Sequence, residues 1–128
     1  MPTKGSPGSA GHDLYSNQRV ILLPGSVMAI SVGIGLILPP NHYAKIEDRS
    51  SLASSGDLLT AGGVIDRDYT GVVRVIIRNM SDRNTATICK GDRISQMIVH
   101  QIPETVAELK TEIPKTVRGS GGFGSTGK

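Results

Sequence analysis

Hydrophobic and polar positions along this chain alternate in short runs, and turn residues punctuate them densely. Pro24-Gly25, Pro39-Pro40-Asn41, Ser54-Ser55-Gly56, Tyr69-Thr70-Gly71, Ser81-Asp82-Arg83-Asn84 and Lys90-Gly91-Asp92 all have turn chemistry. Between them the pattern predicts strands over Arg19–Leu23, Val27–Val32, Gly35–Leu38, Tyr43–Glu47, Val72–Arg78, Thr85–Cys89 and Arg93–Gln101. Ala44-Lys45-Ile46-Glu47 has the period of two expected of a half-exposed strand. Val72–Ile77, nearly all β-branched, suits a strand buried on both faces. Only Ser50–Ser54 and Glu104–Lys110 have room for helical turns, the second directly after Pro103, and Met1–Ser9 read as coil. The expectation is an all-β, jelly-roll-like barrel or sandwich with short helical turns only and a flexible Gly-rich C-terminal arm.

Composition sharpens this picture. The 128 residues suffice for one domain with a real core, but aromatics are 3% and tryptophan is absent, so that core must be aliphatic. Sixteen glycines and seven prolines favour short strands over long helices. The net charge of +3 comes without a Lys/Arg block, which tolerates an anionic small ligand and gives no footprint for a nucleic-acid partner. The longest apolar run, Val27–Leu38, is too short to span a bilayer and contains Gly33 and Gly35, so no membrane partner is expected. MPTKGSPGSAG lacks the apolar core of a signal peptide, and the single cysteine, Cys89, cannot form an intrachain disulfide; both fit an intracellular setting. Asn79-Met80-Ser81 is then a glycosylation sequon on paper only.

Several familiar patterns carry no weight. Gly119, Gly121 and Gly124 match G-x-G-x-x-G, and Gly122, Gly127 and Lys128 match the start of a P-loop, but each needs a following helix to hold the phosphate. Successive glycine N–H groups still suit an anion-binding nest. His12, His42 and His100 lack metal-ligand spacing, and no serine lies in G-x-S-x-G.

Five stretches place charged or small polar residues where turns meet strands: Ala10–Leu14 (AGHDL), Asp48–Ala53 (DRSSLA), Gly62–Gly71 (GGVIDRDYTG), Gly91–Met97 (GDRISQM) and the terminal Arg118–Gly127 (RGSGGFGSTG). On their own chemistry, Asp66 is either an ordinary turn aspartate or a carboxylate able to deprotonate water. Arg49 and Ser50, at a possible helical start, are either solvated or part of a phosphate cradle. In order and spacing the five stretches resemble the motifs of the trimeric deoxyuridine triphosphatase (dUTPase) family, over nearly the whole chain.

The resemblance implies a role for each stretch. It makes Asp66 the general base for attack of water on the α-phosphate of dUTP. It sets Tyr69 flat against the deoxyribose, a steric wall against ribonucleotides. It gives Asp13 the task of holding Mg²⁺ through water, as suits a cation that keeps its hydration shell. Arg49, Ser50, Ser51 and Gln96 become phosphate-binding, and the main chain of Gly63, Val64 and Ile65 reads the uracil edge. Ser51 stands where the family often has glycine, a variant associated with viral-type members, and Thr60 where many cellular relatives carry asparagine.

The tail follows the same logic. Residues 118–128 form a lid attached to a barrel domain of residues 1–117. Phe123, the only phenylalanine, stacks on uracil for about 1–3 kcal/mol, and Arg118, Gly124, Ser125 and Thr126 grip the phosphates. The implied assembly is a homotrimer with sites shared between subunits. Two other readings stay open: a dCTP deaminase-like enzyme of related fold, and a non-catalytic trimeric β-module. The deaminase would need a glutamate near Asp66, and none lies between Leu52 and Val99.

Overall fold

In the computed structural model, which describes residues 1–122, nine strands and one short helix follow in the order β1 (His12–Tyr15), β2 (Val20–Leu22), β3 (Val27–Ser31), β4 (His42–Glu47), α1 (Ser50–Ser55), β5 (Leu58–Ala61), β6 (Val64–Ile65), β7 (Arg74–Asn79), β8 (Ala86–Ile88) and β9 (Arg93–Gln101). They build three antiparallel sheets, ordered β1-β9-β4-β6, β2-β8 and β3-β7-β5. The architecture is the jelly-roll-like, nearly all-β barrel that the turn-and-strand pattern implies.

The core is aliphatic. Leu14, Leu22, Ile30, Ile77, Ile94, Val73 and Val75 are almost fully buried, each contributing about 1.5–3 kcal/mol relative to exposure. Asn79 is the polar exception. Its Nδ2 donates to the carbonyls of Leu22 and Asn84, and its Oδ1 accepts the Ser81 N–H, so the buried amide is satisfied and stitches the end of β7 to β2 and to the loop before β8. An asparagine with no exposed surface cannot carry a glycan in this fold.

Four expectations need correction. Gly35–Leu38 is not a strand: with Gly33 before it, Gly35 at its start and Pro39-Pro40 after it, the segment joins no ladder, and the nearest backbone bond is that of Val73 N–H to Ile34 O just ahead of it. Glu104–Lys110 forms no helix, because a segment this short with no packing face cannot repay nucleation. β7 is buried on one face only, with Arg74, Ile76 and Arg78 pointing outward between Val75, Ile77 and Asn79. Finally, β5 and β6 are strands that the pattern did not predict. They carry the chain from one sheet to the other through Gly62 and Gly63, both at positive φ. At Gly63 a side chain has no room, since a Cβ would stand 2.7 Å from the Ile46 carbonyl oxygen.

Candidate active site

Asp13, Gln96 and Glu47 form one cross-strand row on the outer face of the four-stranded sheet, set by the pairings Asp13↔Gln96 and Glu47↔Gln96. Thr3 extends the row, pairing with Asp13 from the far side. Arg49 turns in from the N-cap of α1, and its Nε donates to Asp13 Oδ1 at 3.1 Å. Gln96 is held by two contacts. Its Nε2 donates to the Asp48 carbonyl at 2.9 Å, and its amide lies so close over Gly11 that a Cβ there would sit 2.6 Å from Oε1. Nε2 keeps a second N–H for a ligand. Ser50 and Ser51 open the helix, exposed, where first-turn N–H groups have no helical partner. Two residues along β4 on the same face, Lys45 pairs with Glu47, whose carboxylate, through its hydrogen bond and charge, holds the ammonium above its ordinary pKa.

A second group sits at the opposite edge. β6 is the last strand of its sheet, paired only with β4, so its outer backbone groups are open to a ligand. Val64 points outward, whereas the Ile65 side chain is buried, leaving Ile65 its main chain alone for recognition. Asp66 follows, exposed rather than packed inside. Tyr69 is tied into the same turn, its N–H bonded to the Asp66 carbonyl and its hydroxyl donating to Val72 O at 3.0 Å.

The two groups do not meet within one chain. Ile65 lies opposite Ala44, and Gln96 opposite Glu47 two strands away. At a rise of about 3.3 Å per residue and a strand spacing of about 4.8 Å, these points are roughly 14 Å apart, with Asp66 one residue further out. The tail is separate again. Pro103–Ser120 is exposed throughout, and Arg118 Nε bonds only to the nearby Gly121 carbonyl among the described residues. Phe123, Gly124, Ser125 and Thr126 lie outside the described residues.

Three residues matter here that reading by sequence did not assign. Asp48 accepts the Thr60 N–H on Oδ1 at 2.7 Å and so ties Arg49 to β5. Gly11 makes room for Gln96. Arg93 places Nη1 3.3 Å from Asp13 Oδ2. Each lies within or beside a quoted motif, but only the tertiary contacts reveal what it touches.

Mg²⁺ can be tested against this donor set. Among the described residues no group of three or more His, Cys, Asp or Glu side chains could cage a metal. A cation carried by substrate phosphates and water needs less, and Asp13 keeps acceptor capacity on both oxygens beyond its arginine bonds. The residues fit a hydrated ion and not a protein-caged one.

The chain is a small antiparallel barrel that displays separated portions of a polar site along one sheet. Comparison with known proteins supplies the family: the dUTPase family model matches residues 1–127, and the chain belongs to the dUTPase family. It is 40% identical over 128 residues to the deoxyuridine 5'-triphosphate nucleotidohydrolase of Saccharomyces cerevisiae, covering 99% of this chain and 86% of the yeast one. It is 40% identical over 126 residues to that of Paramecium bursaria Chlorella virus 1, covering 98% and 89%. In fold it is similar to the dUTPase of Staphylococcus bacteriophage 80alpha with dUPNHPP, with a TM-score of 0.91 and 24% identity over 100% of this chain and 92% of the phage chain. A phage phi11 dUTPase of S. aureus, described with a structural Mg(II) ion, gives a TM-score of 0.81 and 21% identity over 88% and 90%.

Proposed function

We propose that this protein hydrolyses dUTP to dUMP and pyrophosphate at sites shared among the subunits of a homotrimer, keeping uracil out of DNA and supplying dUMP for thymidylate synthesis. Membership of the dUTPase family supports the reaction over the deaminase-like and non-catalytic alternatives. The observation that carries the shared site is the separation of exposed Asp66 from the Asp13–Arg49–Gln96 group by roughly 14 Å or more, imposed by strand register. A triphosphate needs both groups at once, so the second must come from a neighbouring copy.

On this reading the β6 edge, Gly63 to Ile65, binds uracil through main-chain groups, and Tyr69 fills the space a 2′-hydroxyl would need. Arg49, Ser50, Ser51 and Gln96 of another subunit grip the phosphates. Asp66 takes a proton from the water that attacks the α-phosphorus in line, and the pyrophosphate oxygen leaves on the far side. Bound Mg²⁺ would neutralise the phosphate charge, with Asp13 holding it through water. The tail from Arg118 onward closes over the nucleotide, Phe123 capping the base and Gly124, Ser125 and Thr126 contacting phosphates. Residues 1–117 act as the barrel and 118–128 as its lid. Among the described residues no helix is long and apolar enough to cross a membrane, and the enzyme's place is inside the cell, where deoxynucleotides are used.

Pyrophosphate release from dUTP, dCTP, dTTP and UTP, with and without Mg²⁺, tests the reading. Release from dUTP alone, dependent on Mg²⁺, is expected; deamination of dCTP, or no release from any nucleotide, overturns it.

A further inference from the structure

The start of β9 contains an irregularity that changes which way one arginine points. Leu14 pairs with Ser95 and Tyr15 with Arg93, so Ile94 is an extra residue in β9. Ile94 and Ser95 are consecutive and both buried, which a regular strand of alternating faces does not allow. A bulge of this kind re-aims the residue beside it. Here it turns Arg93 to the outer face, the side that carries Asp13 and Gln96.

The turn preceding Arg93 is anchored twice. Ser16 N–H bonds to the Asp92 carbonyl at 2.9 Å, and Gly91 N–H to the Ser16 carbonyl at 2.8 Å. From this base Arg93 Nη1 reaches Asp13 Oδ2 at 3.3 Å, while Arg49 Nε occupies Oδ1 at 3.1 Å. The Arg93 carbonyl also accepts Arg49 Nη1 at 3.3 Å. Arg49 is thereby held at two of its three guanidinium nitrogens, Nε by Asp13 and Nη1 by the Arg93 main chain. Its Nη2 makes no hydrogen bond among the described residues and stays available to an oxyanion.

We infer that Arg93 is a positioning residue. Through the bulge at Ile94 it holds the Asp13 carboxylate, and through Asp13 it aims Arg49 at the phosphates without touching the substrate itself. The inference rests on the proposed phosphate role of Arg49. Asp13 between two guanidiniums is fixed at both oxygens; without Arg93 it can rotate, and Arg49 with it. An asparagine at position 13 loses the same clamp, so removing Arg93 from that variant costs little more.

The test measures binding of the non-hydrolysable α,β-imido analogue of dUTP by calorimetry, in Mg²⁺ and in EDTA, for wild type, R93Q, R93K, D13N and the R93Q/D13N double variant. R93Q and D13N should each weaken binding about tenfold, and the double variant by no more than about twofold beyond the worse single one. R93K, able to reach Asp13 with a point charge, should recover part of the loss. In turnover, R93Q should raise KM more than it lowers kcat. Additive losses, or R93Q binding the analogue as wild type does, overturn the inference and leave the reading of the site standing. A folded wild type that neither binds the analogue nor turns over dUTP overturns both. Melting temperatures of all five proteins separate the result from unfolding, since a merely structural arginine would lower the melting point with no coupling to Asp13.

Discussion

Tyr69 lies folded over Gly71. Its hydroxyl donates to the Val72 carbonyl at 3.0 Å, and a Cβ built on Gly71 would stand 2.6 Å from the hydroxyl oxygen and 2.7 Å from the ring carbon that bears it. The glycine is what permits this ring position. Tyr69 is 46% exposed, so its ring has space to swing away when displaced. Gly71→Ala should therefore fold normally with Tyr69 moved off its seat. With Tyr69 as the wall against a 2′-hydroxyl, the ratio of kcat/KM for dUTP to that for UTP should fall by about tenfold or more. An unchanged ratio would mean that Tyr69 does not discriminate the sugar.

Asp66 stands exposed at the mouth of the β6 turn and makes no side-chain hydrogen bond to the described residues. Asp66→Asn keeps the size and the acceptor oxygen but loses the proton-accepting charge. Turnover of dUTP should drop by roughly three orders of magnitude, while the imido analogue binds within a fewfold of wild type. Near-normal turnover would remove Asp66 as the base.

How much of this could be read from the pattern of residues differs from element to element. β4 was legible through its alternation, β9 through the turn Lys90-Gly91-Asp92 that precedes the long run Arg93–Gln101, and α1 because Asp48-Arg49-Ser50 precedes a short run ending at Gly56. β5 and β6 were not. Leu58–Ala61 is too short to show a period, and Val64-Ile65 becomes a strand only because β4 offers an edge to pair with. The β-branched run of β7 suggested burial on both faces, yet Arg74, Ile76 and Arg78 lie exposed on this chain. Motif residues were recognisable as chemistry, but the distance between Asp66 and Gln96 was not, because it follows from register across three strands. Arg93 faces Asp13 only by virtue of a bulge, and one-residue shifts in pairing leave no mark on composition.

The tail offers a test of closure. Beyond the end of β9, Pro103–Ser120 is exposed along its length, so the barrel of the same chain does not depend on it for packing. Removing Gly119–Lys128 should leave a folded protein of unchanged oligomeric mass by light scattering. Hydrolysis of dUTP should fall about a hundredfold or more, because positioning and exclusion of water are lost together. Full activity in the truncated protein would refute a lid.

Sharing of the site between chains makes the sharpest prediction. Asp66→Asn removes the carboxylate just after β6, and Gln96→Ala removes the amide on β9 proposed to bind phosphate; in one chain β4 lies between β6 and β9. Each variant alone should be nearly inactive. If the two edges of a site come from different subunits of a ring, co-expressing the variants creates some sites with both edges intact. In a random mixture about a quarter of sites combine an intact Asp66 with an intact Gln96 from its neighbour. Activity should therefore rise to about a quarter of wild type, far above either parent, and tail residues intact in both variants should not limit it. A single-chain site predicts no rescue, since every chain carries one lesion. Activity that stays at the sum of the parents, in hybrids shown by mass spectrometry to contain both chains, would exclude a site built across subunits.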